Sequence, residues 1–553
     1  MAATYLYQKG SIPSIMKKLF SYIHKNPFVF AFLILYIPFI IVRLPFFLYY
    51  PYIEMGGDSS SYFYIVDLIN NGHLPSFEYR SVGYPLFLKL VFLVLEKNIA
   101  IAWFQCLLTF TSSFHLLRVI HRNFNSVLIP FSILFTFYIN SSLCLRYEVA
   151  YITESIYKSS IIYFFAFLTE AFCKNKLQYW MLSSFSIFLI IMIRPSGMFL
   201  IPVFILIIIY LLVNKYGLKN ICGFMLPCII LLLGYSCYNY RYSGFFGISD
   251  YGPVNLFAGT STFLEPKEDN PPQVNRAIKN RILSISQDKR DILNRSFNLI
   301  ELEKIFDDYY NSYSTVMAEL LYDTTFYKYK PADTFYASHK FIKPYILKMS
   351  KDAIFSHPVI YFKFFICNSF QYFFRNNIRI GNIHEIYARN FRELYLNREK
   401  ESVDDYFGKL DRDFYKEYYT IPPDPKIILQ NPLITKLSSF WYKISHVLLY
   451  NYIISHVLGV LFFISLILST VLVFTNKNIE FVTFIIFCAL LSAFFQGVVV
   501  CLVEIGMSRY SFPMEFIQSL NLLFLPYLVQ SESLKSLING FKKEKIVSNA
   551  KNL

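Results

Sequence analysis

Apolar stretches long enough to cross a bilayer recur through this sequence, and they constrain the fold more than any other feature. A bilayer core about 30 Å thick takes roughly 20 apolar residues of α-helix. Runs of this kind begin at Phe28 and return along most of the first 240 residues, then again after about residue 453. Irregular backbone cannot face lipid, so the spans must be helices, and the expected fold class is mainly α, a polytopic membrane protein with about ten transmembrane helices. Only 16% of the 553 residues are charged. A soluble domain carries about 25%, so a water-facing coat is missing. The nine cysteines are scattered through apolar stretches and form no CxxC or Cys/His set with metal-ligand spacing, which excludes a disulfide scaffold and a zinc module.

The net charge of +15 does not indicate nucleic-acid binding. Residues 241–443 hold 28 Lys+Arg against 24 Asp+Glu, which is near balance. The rest of the excess sits largely at the ends of apolar runs, where it sets orientation. Lys9, Lys17, Lys18 and Lys25 precede the first run, 28–50, so the N-terminus is expected in the cytoplasm and the segment after Pro51 outside. That run is too long for a signal peptide and lacks its small-residue cleavage site. The stretch 84–95 is too short to span and reads as re-entrant or interfacial. Spans are expected at about 99–118, 127–143, 152–172, 179–193, 197–213, 221–237, 453–475, 480–502 and 510–530. Lys174, Lys176, Lys215, Lys219 and Lys477 mark inner turns, so both ends of the chain are expected inside.

The chain divides accordingly. Residues 1–237 form an N-terminal membrane module whose first outer loop, 51–83, is expected to be catalytic. An extracytoplasmic region, 238–452, carries an aromatic stretch at 357–374 that is expected to lie on the membrane. C-terminal membrane helices, 453–530, and a basic cytoplasmic tail, 531–553, complete it.

Polar groups at membrane depth are expensive, so their positions carry information. Asp58, Arg80, Glu148, Arg194, Glu504 and Arg509 all fall at expected outer ends or in short outer loops. Asp58 follows Gly56-Gly57, and it either caps the helix beginning near Ser59 or serves as a general base. Arg80 is a solvated turn residue or a phosphate ligand. Arg194 stands before Pro195-Ser196-Gly197, a forced turn, where it either snorkels to headgroups or clamps a phosphate bidentately. Glu154 and Lys158, four apart, are expected to neutralise each other on one helix face. Glu148 has no such local partner. Glu504 and Arg509 form a rim ion pair or line a site. The inner half of the spans reads as almost wholly apolar, which argues against a transporter. No P-loop, GxGxxG, Ser-His-Asp or zincin motif appears.

These residues, in this order, carry a resemblance. Asp58 with Tyr62, Asn71-Gly72, the segment Arg80 to Leu86 (Arg-x-x-Gly-Tyr-Pro-Leu), Thr153-Glu154, Arg194-Pro195-Ser196-Gly197 and Glu504…Arg509-Tyr510…Pro513 together resemble the membrane-embedded GT-C glycosyltransferases that use polyprenyl-phosphate sugars, the group of protein O-mannosyltransferases and lipid A aminoarabinose transferases. Residues 239–265 and 356–361 also look like bacterial members. Many members have Asp-Glu at the first-loop position, whereas Ser59 follows Asp58 here, and Glu148 and Glu54 are the candidates for the second acidic function.

The resemblance implies transfer of a sugar from a polyprenyl-phosphate donor to a hydroxyl of an envelope glycan, lipid or protein, on the extracytoplasmic face of a bacterial inner membrane. Asp58 and Glu148 would be catalytic. Arg80, Arg194 and Arg509 would hold the donor phosphate. Tyr62, Tyr84, Glu54, Glu504 and Tyr510 would line the substrates. No metal ligand set is visible, although a divalent cation is compatible with the chemistry. Partners are the donor, the acceptor and membrane lipids, not nucleic acid. An O-antigen polymerase or ligase, or a lipid-linked sugar flippase, is the alternative reading.

Overall fold

The structure is a computed structural model, and it describes residues 25–49, 59–72, 81–95, 97–249, most of 252–306, 334–374, 452–475, 480–503 and 512–531, with a few single positions between. Among these residues the chain is helical and has no strand. Among the described residues seven helices are long and apolar enough to cross a membrane: Pro27–Leu48, Ile99–Asn123, Glu154–Lys174, Pro195–Val213, Leu218–Tyr242, Ile454–Thr475 and Phe481–Leu502. The chain is therefore a multi-pass helical membrane protein. Three apolar helices are shorter: Gly83–Val94, Asn125–Ile139 and Leu177–Ile193. The expected span 127–143 ends early, at Ile139, the one at 179–193 is the 17-residue helix Leu177–Ile193, and the last one is a helix of only 16 residues, Glu515–Gln530.

In chain order the helices are α1 (Pro27–Tyr49), α2 (Ser59–Asn70), α3 (Gly83–Val94), α4 (Ile99–Asn123), α5 (Leu128–Ile139), α6 (Ser142–Glu148), α7 (Glu154–Lys174), α8 (Leu177–Ile193), α9 (Leu200–Val213) and α10 (Leu218–Ser243). Then come α11 (Gly252–Thr260), α12 (Pro272–Leu283), α13 (Gln287–Arg295), α14 (Thr334–Ser356), α15 (Pro358–Phe374), α16 (Tyr452–Thr475), α17 (Phe481–Val503) and α18 (Glu515–Gln530). Helix α10 runs through the expected domain boundary at 237 and stops at Gly244, whose φ of 74° gives the left-handed cap that ends many helices.

Helix α7 is the hub, most of its length buried, with α4, α6, α8 and α17 packed around it. The outer helices show the reverse pattern. On α1 the residues Val29, Leu33, Ile37, Ile40, Leu44 and Leu48 are exposed while Leu35, Tyr36, Val42 and Phe46 are buried. On α16 the stripe Val457, Val460, Ile464, Ile467, Val471 and Phe474 is exposed. Such apolar stripes at helical spacing are lipid-facing surface.

Neighbour contacts fix the direction of each helix. Phe28 meets His121 and Phe47 stacks on Trp103, so α1 and α4 are antiparallel. Glu154 meets Arg194 at one end of the α7–α8 pair and Phe172 meets Trp180 at the other. The turns holding Lys174, Lys176, Lys215 and Lys219 therefore share one end of the bundle, the basic end. Residues 139–154 and 194–199 share the opposite end, the site end.

One sequence expectation needs correction and a second gains detail. First, the α4–α7 seam is not apolar: Thr109, Ser112, Ser113 and Ser159 are buried along it, and Tyr36 Oη lies 3.0 Å from Ser113 Oγ. Towards the basic end, His115 Nε2 is 3.4 Å from Glu170 Oε2, and Lys174 also pairs with Glu170. Most of the seam hydroxyls donate to carbonyls of their own helix, as Ser113 does to Thr109 at 2.7 Å, so the seam serves as packing between helices. Second, α15, expected to lie on the membrane, is packed on the bundle. Its C-terminal half wedges against α16 and α17, where a Cβ on Gly459 would stand 2.6 Å from Phe373 O and one on Gly497 2.4 Å from the Phe373 ring. Lys363 and Asn368, which interrupt its apolar pattern, both have structural work. Lys363 Nζ donates to Leu293 O (2.8 Å) and Asn294 O (3.0 Å) at the C-terminus of α13, and Asn368 Nδ2 to Cys501 O at 3.4 Å.

Candidate functional site

Two buried charge clusters stand at the site end, both built on the first two turns of α7. The first centres on Glu148, the last residue of α6. Ser141 starts that helix as an N-cap, its Oγ accepting from Cys144 N at 3.3 Å. Arg43 of α1 reaches Glu148 with two nitrogens, Nε to Oε2 at 2.7 Å and Nη2 to Oε1 at 3.0 Å. Lys158 Nζ donates to Glu148 Oε1 (3.1 Å) and to Thr109 Oγ1 (2.9 Å), and lies 2.7 Å from Cys144 Sγ. Arg43 also donates to Asn140 Oδ1 and to the carbonyls of Ile139 and Phe39. All three charged side chains are at most 3% exposed. Burial alone would push the Glu148 carboxyl up, but Arg43 and Lys158 overcome it and hold the carboxyl down at about 2.

Glu148, which has no partner at helix spacing, finds distant ones, and both of its oxygens are engaged by cations. It closes α1 against α6 and α7 and is not available as a base. Lys158 belongs to Glu148 rather than to Glu154, so the expected pairing along one helix face is not made. Arg43 is the residue that sequence reasoning missed. Its signal was a single guanidinium inside an otherwise apolar span, in Ile41-Val42-Arg43-Leu44.

The second cluster pairs Glu154 with Arg194. Pro195 drives Arg194 out of the helical region, to φ −148° and ψ 118°, which ends α8 and points the chain into the short 3-10 turn Pro195–Phe199. Arg194 Nη1 then donates to Glu154 Oε1 at 2.9 Å. Glu154 is fully buried at the N-terminus of α7, where the helix dipole favours a carboxylate, and its Oε2 accepts from Thr153 Oγ1 at 3.3 Å. The Arg194 side chain is 12% exposed.

Buried tyrosines flank this pair. Tyr84 of α3 is wholly buried, its ring packs edge-on against Tyr62 of α2 at 4.8 Å, and its hydroxyl has Tyr62, Tyr151 and Glu154 as electrostatic neighbours. Tyr372 of α15, also buried, has Cys501, Tyr157, Glu515 and Arg194 as electrostatic neighbours. The hydroxyls of Tyr84, Tyr372 and Ser155 have no hydrogen-bond partner among the described residues. Buried polar atoms are nearly always paired, and these three hydroxyls belong to residues next to Glu154 in sequence or electrostatically coupled to Glu154 or Arg194.

Of the expected site residues, Glu148, Arg194, Tyr62 and Tyr84 are described, and the last three come together at the Glu154–Arg194 pair. Asp58, Arg80, Arg509, Glu54, Glu504 and Tyr510 lie outside the described residues. Two of them have described sequence neighbours that are pinned at this place. Ser59, next to Asp58, is buried and donates from Oγ to Tyr151 O at 2.9 Å, three residues before Glu154. Ser81, next to Arg80, donates to Ile193 O at 3.3 Å, immediately before Arg194. Close by, Gly83 lies so near α8 that a Cβ would stand 2.4 Å from Met192 O, so only glycine lets α3 begin there. Among the described residues no group of His, Cys, Asp and Glu could hold a metal ion. In comparisons with known proteins, the chain matches no family model, no curated protein and no solved structure.

Proposed function

We propose that this chain is a GT-C-type membrane glycosyltransferase that moves a sugar from a polyprenyl-phosphate donor to an acceptor hydroxyl. The observation that carries the reading is the Glu154–Arg194 pair, bordered by unpartnered buried hydroxyls, with Ser59 and Ser81 fastened beside it. Ser59 and Ser81, the sequence neighbours of the candidates Asp58 and Arg80, bond to Tyr151 O and Ile193 O, three residues before Glu154 and one before Arg194. Glu154 anchors one nitrogen of the guanidinium, which limits how it can turn towards a phosphate. This gives Glu154 the role of a positioning residue.

Asp58 takes the proton of the acceptor hydroxyl. The oxygen attacks the anomeric carbon from the side opposite the phosphate, the bond from that carbon to the phosphate oxygen breaks, and the electron pair leaves with the polyprenyl phosphate. One displacement inverts the anomeric configuration. Arg194, with Arg80 and Arg509 as the further candidates, meets the charge that grows on the departing phosphate. The lipid-facing stripes suit a donor whose tail stays in the bilayer. The Lys-rich turns at the opposite end support an extracytoplasmic site through the positive-inside bias.

The test is transfer of label from a polyprenyl-phosphate sugar by the purified protein in lipid vesicles. Asp58→Asn is expected to lower the rate by about 10²–10⁴-fold, the range of a positioned general base, with unchanged elution as a folded particle. Full activity in that variant would remove Asp58 from the chemistry, and absence of transfer by wild-type protein from any polyprenyl-phosphate sugar would remove the reading.

A further inference from the structure

The basic end of the bundle holds charge that neither buried cluster of the site end uses. Glu170 of α7 is 3% exposed there, and Lys174, one turn on, pairs with its Oε1 and donates to Tyr179 Oη at 3.0 Å. Arg122 of α4 brings Nη1 within 3.9 Å of the same oxygen, with its side chain 43% exposed. Arg118, one turn before Arg122, is exposed and has no anionic partner among the described residues. His115, whose Nε2 lies 3.4 Å from Glu170 Oε2, has Arg118, Arg122 and Lys174 as electrostatic neighbours. Leaving His115 uncharged, three permanent cations share one described carboxylate, so two positive charges remain over.

The outer face of α4 shows what meets that charge. Trp103 and Leu107 are each more than half exposed, and Arg118 and Arg122 are exposed as well. Steps of four, eleven and four residues keep these side chains on one face of a helix. From Trp103 to Arg122 the helix rises about 28 Å, close to the ~30 Å thickness of a hydrocarbon core. An indole at one end and guanidinium groups at the other mark the two interfaces of a span. The anion met at the guanidinium end is a lipid phosphodiester, which the planar donors of arginine match. The acyl chains of the same molecule reach back along α4 to Leu107, about 16 Å from Arg118, roughly one leaflet deep.

Glu170 distinguishes this place from a diffuse basic surface. It is a fixed point between α4 and α7 at which Lys174 is held and beside which Arg122 stands. Lys176, Lys215 and Lys219 are exposed at the same end and have no such anchor among the described residues.

We propose that the α4–α7 corner at the basic end is a binding site for an anionic phospholipid, with the phosphate on Arg118 and Arg122, Lys174 alongside, and the acyl chains on the outer face of α4. The site is independent of the glycosyl-transfer reading. Native mass spectrometry of the full-length protein in detergent, titrated with phosphatidylglycerol or phosphatidylcholine, tests it. Wild-type protein is expected to retain phosphatidylglycerol in preference to phosphatidylcholine. Arg118→Gln together with Arg122→Gln should weaken phosphatidylglycerol binding by about 10–30-fold, the size of two basic contacts with an anionic lipid surface. Arg118→Gln alone, at an exposed position that folding does not depend on, should weaken it by about fivefold. Lys215→Gln with Lys219→Gln removes the same charge from the same end, away from Glu170, and should leave the affinity unchanged. Inorganic phosphate at millimolar concentration should not displace the lipid, because it has no chain to lay on α4. Equal retention of the two lipids, wild-type affinity in Arg118→Gln, an equal loss in the lysine pair, or displacement by inorganic phosphate would each overturn the site.

Discussion

Glu154 and Lys158 sit one turn apart on α7, yet they belong to two charge clusters of opposite character. The Lys158 cluster is closed: Glu148 receives both cations, Arg43 and Lys158 donate to neighbouring oxygens as well, and no charged member is more than 3% exposed. The Glu154 cluster is open: its cation is partly exposed and buried hydroxyls beside it lack partners among the described residues. Satisfied buried ions hold helices in register, whereas unsatisfied polar surroundings wait for a ligand. The contrast separates scaffold from site within about 6 Å of helix rise.

Breaking the closed cluster should give the largest effect. Glu148→Ala leaves two buried cations with no carboxylate, and removing one partner of a buried ion pair costs about 3–5 kcal/mol. Loss of folded protein, read as aggregation on size exclusion and a lowered Tm in detergent, is expected. Replacing Arg43, Glu148 and Lys158 together by methionine should restore folding, because a whole buried ion cluster exchanges for apolar packing at little net cost. If the single variant folds as well as wild type, the cluster is not a scaffold element.

The open cluster should respond in activity rather than in folding. Arg194→Gln is expected to reduce transfer by about 10²–10³-fold, the size of a lost transition-state donor, with a Tm within a few degrees of wild type. Glu154→Gln keeps a hydrogen-bond acceptor for Arg194 and should lie between the two. A pattern in which Arg194→Gln unfolds the protein would merge the two clusters into one structural unit. The smallest effect is expected from Tyr84→Phe. It deletes a buried hydroxyl without a described partner, whose desolvation costs about 1–3 kcal/mol when unpaired. Stability should hold or rise while transfer falls; lowered stability would instead assign that hydroxyl a partner inside the fold.

Much of the architecture was legible in advance. The long spans follow from apolar run length, the start of α2 at Ser59 from its Gly-Gly-Asp-Ser lead, and the end of α8 from Pro195. The pairing of charges was not. Spacing of four on a helix favours Glu154 with Lys158, but that rule holds for isolated helices in water. Inside the bundle the connecting helix α6 brings Glu148 into contact with Lys158, and the break at Pro195 brings Arg194 to Glu154. Arg43 was hidden because one cation barely lowers the hydropathy of a 23-residue helix. Tyr372 was hidden for a different reason: nothing local tells a helix more than 170 residues downstream of Arg194 to insert beside it.

That insertion has a consequence for how the molecule tolerates change. The Phe373 and Tyr372 rings are seated on Gly497, and the Phe373 carbonyl and Phe374 ring on Gly459, one glycine from each of the last long helices. Any side chain at Gly497 shoves the aromatic pair and, with it, the phenol neighbouring Arg194. Drift at a lipid-buried position in the final third of the chain is thus felt by a guanidinium in the first half, and both seats are closed even to alanine.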